Sequence, residues 1–287
     1  MNQPLTFPTE ETNDAGEQAK EQKDQKGSIP APTLNAIERI PGLGQIDAES
    51  IQIRPATRIE AATNPRGPGA DRFRLLRTHL YDMRKVAKLQ TLFITSPLPK
   101  DGKSTVTLNL ATALSHGSSG PVLVVEADLH QPGITSTLGL PMQAGFAECI
   151  EDGTDPLSVL TYIQPLNWYL LAAGHPRGNP KEIIYSAALQ NVLKTLCAHF
   201  DWILLDTPPV IPLNDALALS KSVDGGLMVV RAEVTPRGAV DDAIARIGKS
   251  KLVGVVLNGE KGLNSLYSKY TQYYGSEPTN ISRKLLK

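Results

Sequence analysis

A chain of 287 residues with 29 Lys and Arg against 29 Asp and Glu carries no net charge, so bulk electrostatics selects neither nucleic acid nor an anionic membrane as a partner. Cys149 and Cys197 are too few and too far apart for a disulfide framework or a zinc site, and the five histidines show no ligand spacing. No apolar run approaches the roughly 18–20 residues that cross a bilayer and the N-terminus has no signal-peptide core, so the expectation is a cytoplasmic protein with one large α/β domain plus extensions.

Residues 1–65 are poor in large apolar side chains and rich in Glu, Gln, Lys, Pro and Thr. Such a segment buries too little surface to offset its ordering entropy. It reads as a disordered arm, with a short structured piece around Ile37–Ile46 as its one exception. Order is expected from about residue 66. In DRFRLLRTHLYDMRKVAKLQ, residues 71–90, the apolar side chains Phe73, Leu76, Leu80 and Met83 recur at helical spacing. Arg72, Arg74, Arg77, Arg84, Lys85 and Lys88 decorate the other faces. That basic surface fits a packing helix, a membrane-surface helix or a subunit contact.

Leu92 to Thr105, LFITSPLPKDGKST, is the stretch that organises the rest. A short apolar run of buried-strand type breaks at Pro97, Pro99 and Gly102, then restarts as a helix from Lys103 to about His116. Strand, loop, Gly-Lys-Ser and helix form the context of a phosphate-binding P-loop. Backbone N–H groups at such a turn converge on phosphate oxygens. Lys103 adds a cation, and the Ser104 hydroxyl suits Mg²⁺. The general pattern opens with Gly six residues before the Lys, where this chain has Pro97. Alone, Gly-Lys-Ser-Thr is also an ordinary helix start, so the assignment needs acids elsewhere.

The acids follow. Strand Val122–Asp128 ends in Glu126 and Asp128, which period two sends to one side. Trp168–Leu171 is a third strand, and Pro180 opens a long helix to about Phe200. Trp202 to Leu205 then runs into Asp206, an apolar strand ending in an acid that suits the hydrated shell of a magnesium ion. Helix Asp215–Ser222, strand Leu227–Val230, helix Ala239–Gly248 and strand Leu252–Leu257 complete the alternation. The pattern predicts an α/β fold with a mostly parallel, doubly wound sheet and helices on both faces. The P-loop, the paired acids and Asp206 converge at one edge of that sheet, which predicts a Mg²⁺-nucleoside triphosphate site.

SPLPKDGKST, VLVVEADLHQP and WILLDTPPV together resemble the bacterial tyrosine kinase family of capsular and exopolysaccharide synthesis. That family shares the P-loop fold of the deviant-Walker, chromosome-partitioning ATPases. The resemblance covers about residues 71–275 and implies a P-loop kinase domain over 66–260. It also implies an oligomerisation helix at 71–90, matched by Asp71, Arg74 and Arg77, and a tyrosine-rich tail over 261–287. Tyr267, Tyr270, Tyr273 and Tyr274 are half of the chain's eight tyrosines, and the family phosphorylates such clusters on a neighbouring subunit. Their other reading is an amphipathic helix packing three of the four.

The resemblance implies phosphoryl transfer from ATP with Mg²⁺. Pro99, Lys100, Asp101, Gly102, Lys103, Ser104 and Thr105 would hold the phosphates, and Asn258 would contact adenine. Ser104 and Asp206 would hold the metal with Glu126 nearby, and Asp128 or Glu126 would orient the tyrosine O–H. Three residues depart from the family. Lys100 replaces a loop glycine, Glu126 replaces the first Asp of the second Walker motif, and His130 stands where Arg is usual. Expected partners are further copies of the chain in a ring and a membrane chain-length regulator as activator, with no nucleic acid. That regulator would recruit the chain to the inner face of the plasma membrane. Two other classes stay open: a partitioning-type ATPase, against which the tyrosine tail counts, and a weakly active, nucleotide-sensing regulator, which Lys100 and Glu126 favour.

Overall fold

The structure, a computed structural model, describes residues 46–53, 57–117, 120–211 and 213–260. Among them the elements run in chain order as β1 (Asp47–Ser50), α1 (Glu60–Thr63), α2 (Pro68–Val86), β2 (Thr91–Thr95), α3 (Lys103–Ser115), β3 (Val122–Glu126), α4 (Ile134–Leu138) and α5 (Phe146–Glu151). There follow β4 (Thr161–Gln164), β5 (Trp168–Leu171), α6 (Pro180–Ile184), α7 (Ala188–Cys197), β6 (Trp202–Asp206), α8 (Asp215–Lys221), β7 (Gly225–Arg231), α9 (Arg237–Ile247) and β8 (Leu252–Asn258). The strands form one sheet in the order β1-β4-β5-β3-β6-β2-β7-β8. Every pairing is parallel except the hairpin of β4 with β5. This is the mostly parallel, doubly wound sheet that the alternation predicts.

The central strands β2, β3 and β6 are buried along their whole length, which is why they read as unbroken apolar runs rather than as an alternation. Successive residues supply two separate cores. Leu92, Ile94, Val124 and Leu204 pack with Val106, Leu110 and Leu114 of α3 on one face. Phe93, Leu123, Val125 and Leu205 pack with Leu189, Val192 and Leu196 of α7 on the other.

Three expectations change. The segment read as a disordered arm over 1–65 contributes β1, which pairs with β4 from Asp47↔Thr161 to Ser50↔Gln164. Its side chains are all exposed, so main-chain bonding holds an edge strand whose sequence, DAES, has no apolar pattern. Ile59, also from that segment, is wholly buried. Asn109 fastens the stretch by donating to the Arg58 carbonyl at 2.8 Å and accepting from Ala61 N–H at 3.2 Å. Ile46 is buried as well, whereas the rest of the piece around Ile37–Ile46 lies outside the described residues.

The single long helix expected over 180–200 is two helices. Asn179 caps α6 through Lys181 N–H at 3.1 Å, with Pro180 in the first turn. Ser186 then accepts from Ala188 N–H at 3.2 Å, the local bond by which serine competes with helix continuation. Finally, the basic surface of α2 is largely engaged within the chain. Arg74 pairs with Asp71 and donates to the Pro65 carbonyl at 2.6 Å. Arg77 donates to the Ala113 carbonyl at 2.9 Å, and Lys85 pairs with Asp82 at 2.8 Å. The Arg84 guanidinium lies 4.9 Å from the centre of the Trp202 ring. The Asp71, Arg74 and Arg77 stripe is therefore not a free row of charges, because Arg77 is turned toward the end of α3.

Candidate active site

β2 delivers the chain at Thr95 to a loop that turns into α3 at Lys103. The loop is fastened on every side. Val210 N–H donates to the Ser96 carbonyl at 2.9 Å and Ile211 N–H to the Pro97 carbonyl at 3.2 Å. Asp101 accepts from Leu98 N–H at 3.1 Å and from the Thr235 hydroxyl at 2.7 Å. The Asn258 amide donates to the Asp101 carbonyl at 2.9 Å. Lys100 and Gly102 both take left-handed conformations, with φ of 68° and 97°. Such alternation turns successive N–H groups into one concavity. Glycine is required at 102, since a Cβ there would lie 2.1 Å from Asn258 Nδ2. At 100 the same backbone region carries a lysine, which costs about 1 kcal/mol relative to glycine.

Three charged side chains meet where α3 begins and β3 and β6 end. Lys103 Nζ lies 3.0 Å from Asp128 Oδ2, with both side chains largely buried. Ser104 Oγ donates to Asp206 Oδ2 at 2.6 Å, and Thr107 Oγ1 donates to Oδ1 at 3.2 Å. Burial pushes the Asp206 carboxyl up from 3.8 to about 6, against the opposing pull of Lys103 and Ser104. A wholly buried carboxylate held by two hydroxyls keeps unspent affinity for a cation. Ser104 and Asp206 thus fit a magnesium ion, and the loop amides with Lys103 fit the phosphates of a nucleotide.

Glu126 does not join them. Its register partner is Asp206, but its carboxylate is committed elsewhere. Oε1 accepts from Ile134 N–H at 2.6 Å and Thr135 N–H at 3.3 Å, and Oε2 from the Thr135 hydroxyl and Ala173 N–H at 3.3 Å. The extra methylene carries this acid to the start of α4, where it acts as a structural anchor rather than a second metal acid. The Asn258 amide, the expected adenine contact, meets the loop backbone at the Asp101 carbonyl.

Beside Lys103 and Asp128 opens a cavity of about 390 Å³ lined by Pro99, Asp128, His130, Gln131, Pro209 and Leu213. Asp128 also accepts from Gln131 N–H at 3.0 Å. His130 Nε2 lies 2.6 Å from Oδ2 of Asp215, which is fully buried. Sequence reasoning missed Thr107, Thr235 and Asp215. Thr107 stands one turn beyond Ser104 on the same helical face, a signal within reach; the other two are joined to the site only by folding. Tyr267, Tyr270, Tyr273 and Tyr274 lie outside the described residues.

No family model matches the chain. It is 28% identical over 222 residues to tyrosine-protein kinase YwqD of Bacillus subtilis, an alignment covering 76% of this chain and 92% of that protein. It is 27% identical over 215 residues to putative tyrosine-protein kinase CapB of Staphylococcus aureus, covering 74% and 93%. It is 29% identical over 218 residues to succinoglycan biosynthesis transport protein ExoP of Rhizobium meliloti, where 74% of this chain spans only 27% of the relative. Among solved structures, the chimerical protein CapA2B2 superposes with a TM-score of 0.66 at 28% identity, over 75% of this chain and 94% of that one. The kinase domain of Escherichia coli tyrosine kinase ETK gives 0.67 at 23% identity over 81% and 95%, a likeness of fold.

Proposed function

We propose that this chain, a relative of the bacterial tyrosine-protein kinases of polysaccharide synthesis, is an ATP-dependent protein-tyrosine kinase that phosphorylates its own tyrosine-rich tail across subunits. The observation that carries this reading is the Ser104–Asp206 contact at 2.6 Å beside the Lys103–Asp128 pair at 3.0 Å. Bound MgATP supplies the transferable γ-phosphoryl group and the metal charge that offsets the phosphates. Ser104 and Asp206 would hold the metal, Asp206 through water. Lys103 and the amides of residues 101–105 would stabilise the negative charge that spreads over the transferring group. Asp128 keeps Lys103 at the mouth of the cavity, where the tyrosine hydroxyl enters. The activator in this reading is a membrane chain-length regulator, and the place of action is the inner face of the plasma membrane.

Incubation of the purified chain with MgATP, followed by phosphotyrosine analysis, tests the reading. Lys103→Met is expected to lose ATP turnover and phosphotyrosine together, by about 10² or more, while Lys100→Ala keeps both. Near-normal activity in Lys103→Met with loss in Lys100→Ala would overturn the loop assignment. A weakly active, nucleotide-sensing regulator is the second reading. It is favoured by the commitment of Glu126 to α4, which leaves one acid fewer beside the metal position. Nucleotide binding without phosphotyrosine in the same assay would select it.

A further inference from the structure

We infer that His130 and Asp215 form a catalytic dyad, with His130 as the base that takes the proton from the substrate tyrosine. The inference rests on the kinase reading and names the base within it. Of the two acids that the sequence offers for this task, Glu126 is committed to α4 and Asp128 already accepts at both oxygens, from Lys103 at 3.0 Å and from Gln131 N–H at 3.0 Å. His130 lines the same 390 Å³ cavity as Asp128 and the loop residue Pro99. Its Nε2 faces Asp215 Oδ2 at 2.6 Å, and its side chain is 26% exposed. The bond to Asp215 is made by Nε2, so Nδ1 is the ring nitrogen that does not face that carboxylate.

The chemistry follows from which atom is engaged. An ionised Asp215 only accepts, so the proton sits on Nε2 and the lone pair on Nδ1. Asp215 is wholly buried on α8, and its other oxygen, Oδ1, has no partner among the described residues. A buried carboxylate in that condition persists when it has a cation to meet. The imidazolium formed during the reaction is that cation, held by the same logic as the aspartate of a hydrolase triad. An arginine at position 130 could not do this, because guanidinium does not give up its proton in proteins.

In the step itself, the tyrosine O–H bond breaks and its proton passes to His130 Nδ1. The phenolic oxygen forms a bond to the γ-phosphorus as the bond from that phosphorus to the β–γ bridging oxygen breaks, and ADP leaves. The imidazolium then returns its proton to solvent. The charged groups around His130 are Asp215 from α8, Asp128 from its own loop and Lys103 from α3 through Asp128; the remaining lining residues, Pro99, Gln131, Pro209 and Leu213, are uncharged.

The test measures phosphotyrosine formation from MgATP in the full chain. His130→Gln is expected to transfer about 10²-fold more slowly and to bind nucleotide within a few-fold of the parent. Asp215→Asn is expected to slow transfer as well while nucleotide binding stays within a few-fold of the parent, because the imidazolium loses its buried counter-charge. Imidazole added to His130→Gly is expected to restore transfer, which guards against a variant that is merely misfolded. A His130→Gln protein with the parental rate overturns the dyad and leaves the kinase reading standing. A parent that makes no phosphotyrosine overturns both.

Discussion

Asp206 is the residue at which stability and function pull apart. Its carboxyl is pushed up from 3.8 to about 6, chiefly by burial. The folded state therefore holds a proton that the unfolded state has already released over that interval. Stability contributed by this proton is full below about pH 4 and is lost as pH rises through about 6, a total of roughly 3 kcal/mol. Asp206→Asn mimics the protonated form, so it is expected to be more stable than the parent at pH 7 by up to about 3 kcal/mol. The difference should shrink toward pH 4, as urea unfolding of both proteins across that range would reveal. The same variant should lose magnesium-dependent nucleotide binding, and an equal stability gap at pH 4 and pH 7 would contradict the assignment. Glu126 makes the opposite case. Its carboxylate accepts from two backbone amides of α4, the Thr135 hydroxyl and Ala173 N–H, so Glu126→Gln points an N–H₂ group at donors. The expected loss is about 2–3 kcal/mol with magnesium-nucleotide affinity changed no more than a few-fold. A stable variant with affinity down tenfold would restore Glu126 to the metal.

At the scale of elements, legibility tracks burial. β2, β3 and β6 are covered on both faces, so their apolar runs announce them, and the residues ending those strands announce the site. β1 is held by backbone pairing alone, and its exposed side chains leave no trace that separates it from loop; β4 buries Thr161, Tyr162 and Ile163, but four residues are too few for their pattern to announce a strand. The 180–200 helix fails at Ser186 for a local reason that apolar periodicity overrides when read over a long window. Within the site, Lys103 and Ser104 were legible because P-loop chemistry fixes their spacing, and Asp128 and Asp206 because each stands at or just beyond the end of a buried apolar strand. The partner of His130 was not, because Asp215 stands 85 positions away.

The helix α2 carries a prediction of the same kind. Arg77 donates to the Ala113 carbonyl near the end of α3, so Arg77→Ala is expected to cost about 1 kcal/mol in the fold itself. Arg74 is bound to Asp71 and Pro65 on an exposed flank. Arg74→Ala should leave thermal unfolding unchanged and shift the chain from oligomer to monomer on size-exclusion chromatography. An unchanged elution profile with weakened liposome binding would select the membrane-surface reading of this helix instead.

For the whole molecule, the sheet brings its last strand back to its first functional loop. β8 ends at Asn258, whose amide donates to Asp101 of the loop before α3, so the chain leaves the described fold beside the proposed nucleotide site. Tyr267 follows nine residues later, a span of at most about 30 Å when extended, and the cluster continues to Tyr274. That reach permits transfer within a subunit or to a neighbour, and a mixing experiment separates them. Lys103→Met protein keeps its tyrosines but lacks the loop cation; a second protein with Tyr267, Tyr270, Tyr273 and Tyr274 all changed to Phe keeps the site but lacks the acceptors. Each alone is expected to stay free of phosphotyrosine while the Phe protein still binds nucleotide. Mixed with MgATP, the pair should accumulate phosphotyrosine on the Lys103→Met chain, as mass spectrometry of the two would show. Each phosphate adds about −1.5 to −2 charges at pH 7, and several on one tail cannot rest against a neighbour's phosphates and Asp206. The phosphorylated parent should therefore elute as a smaller species than the unphosphorylated one, and the Phe protein should stay assembled under the same treatment. Phosphotyrosine on the Phe protein alone would place the acceptor outside the tail, and a silent mixture beside an active parent would make the transfer intramolecular.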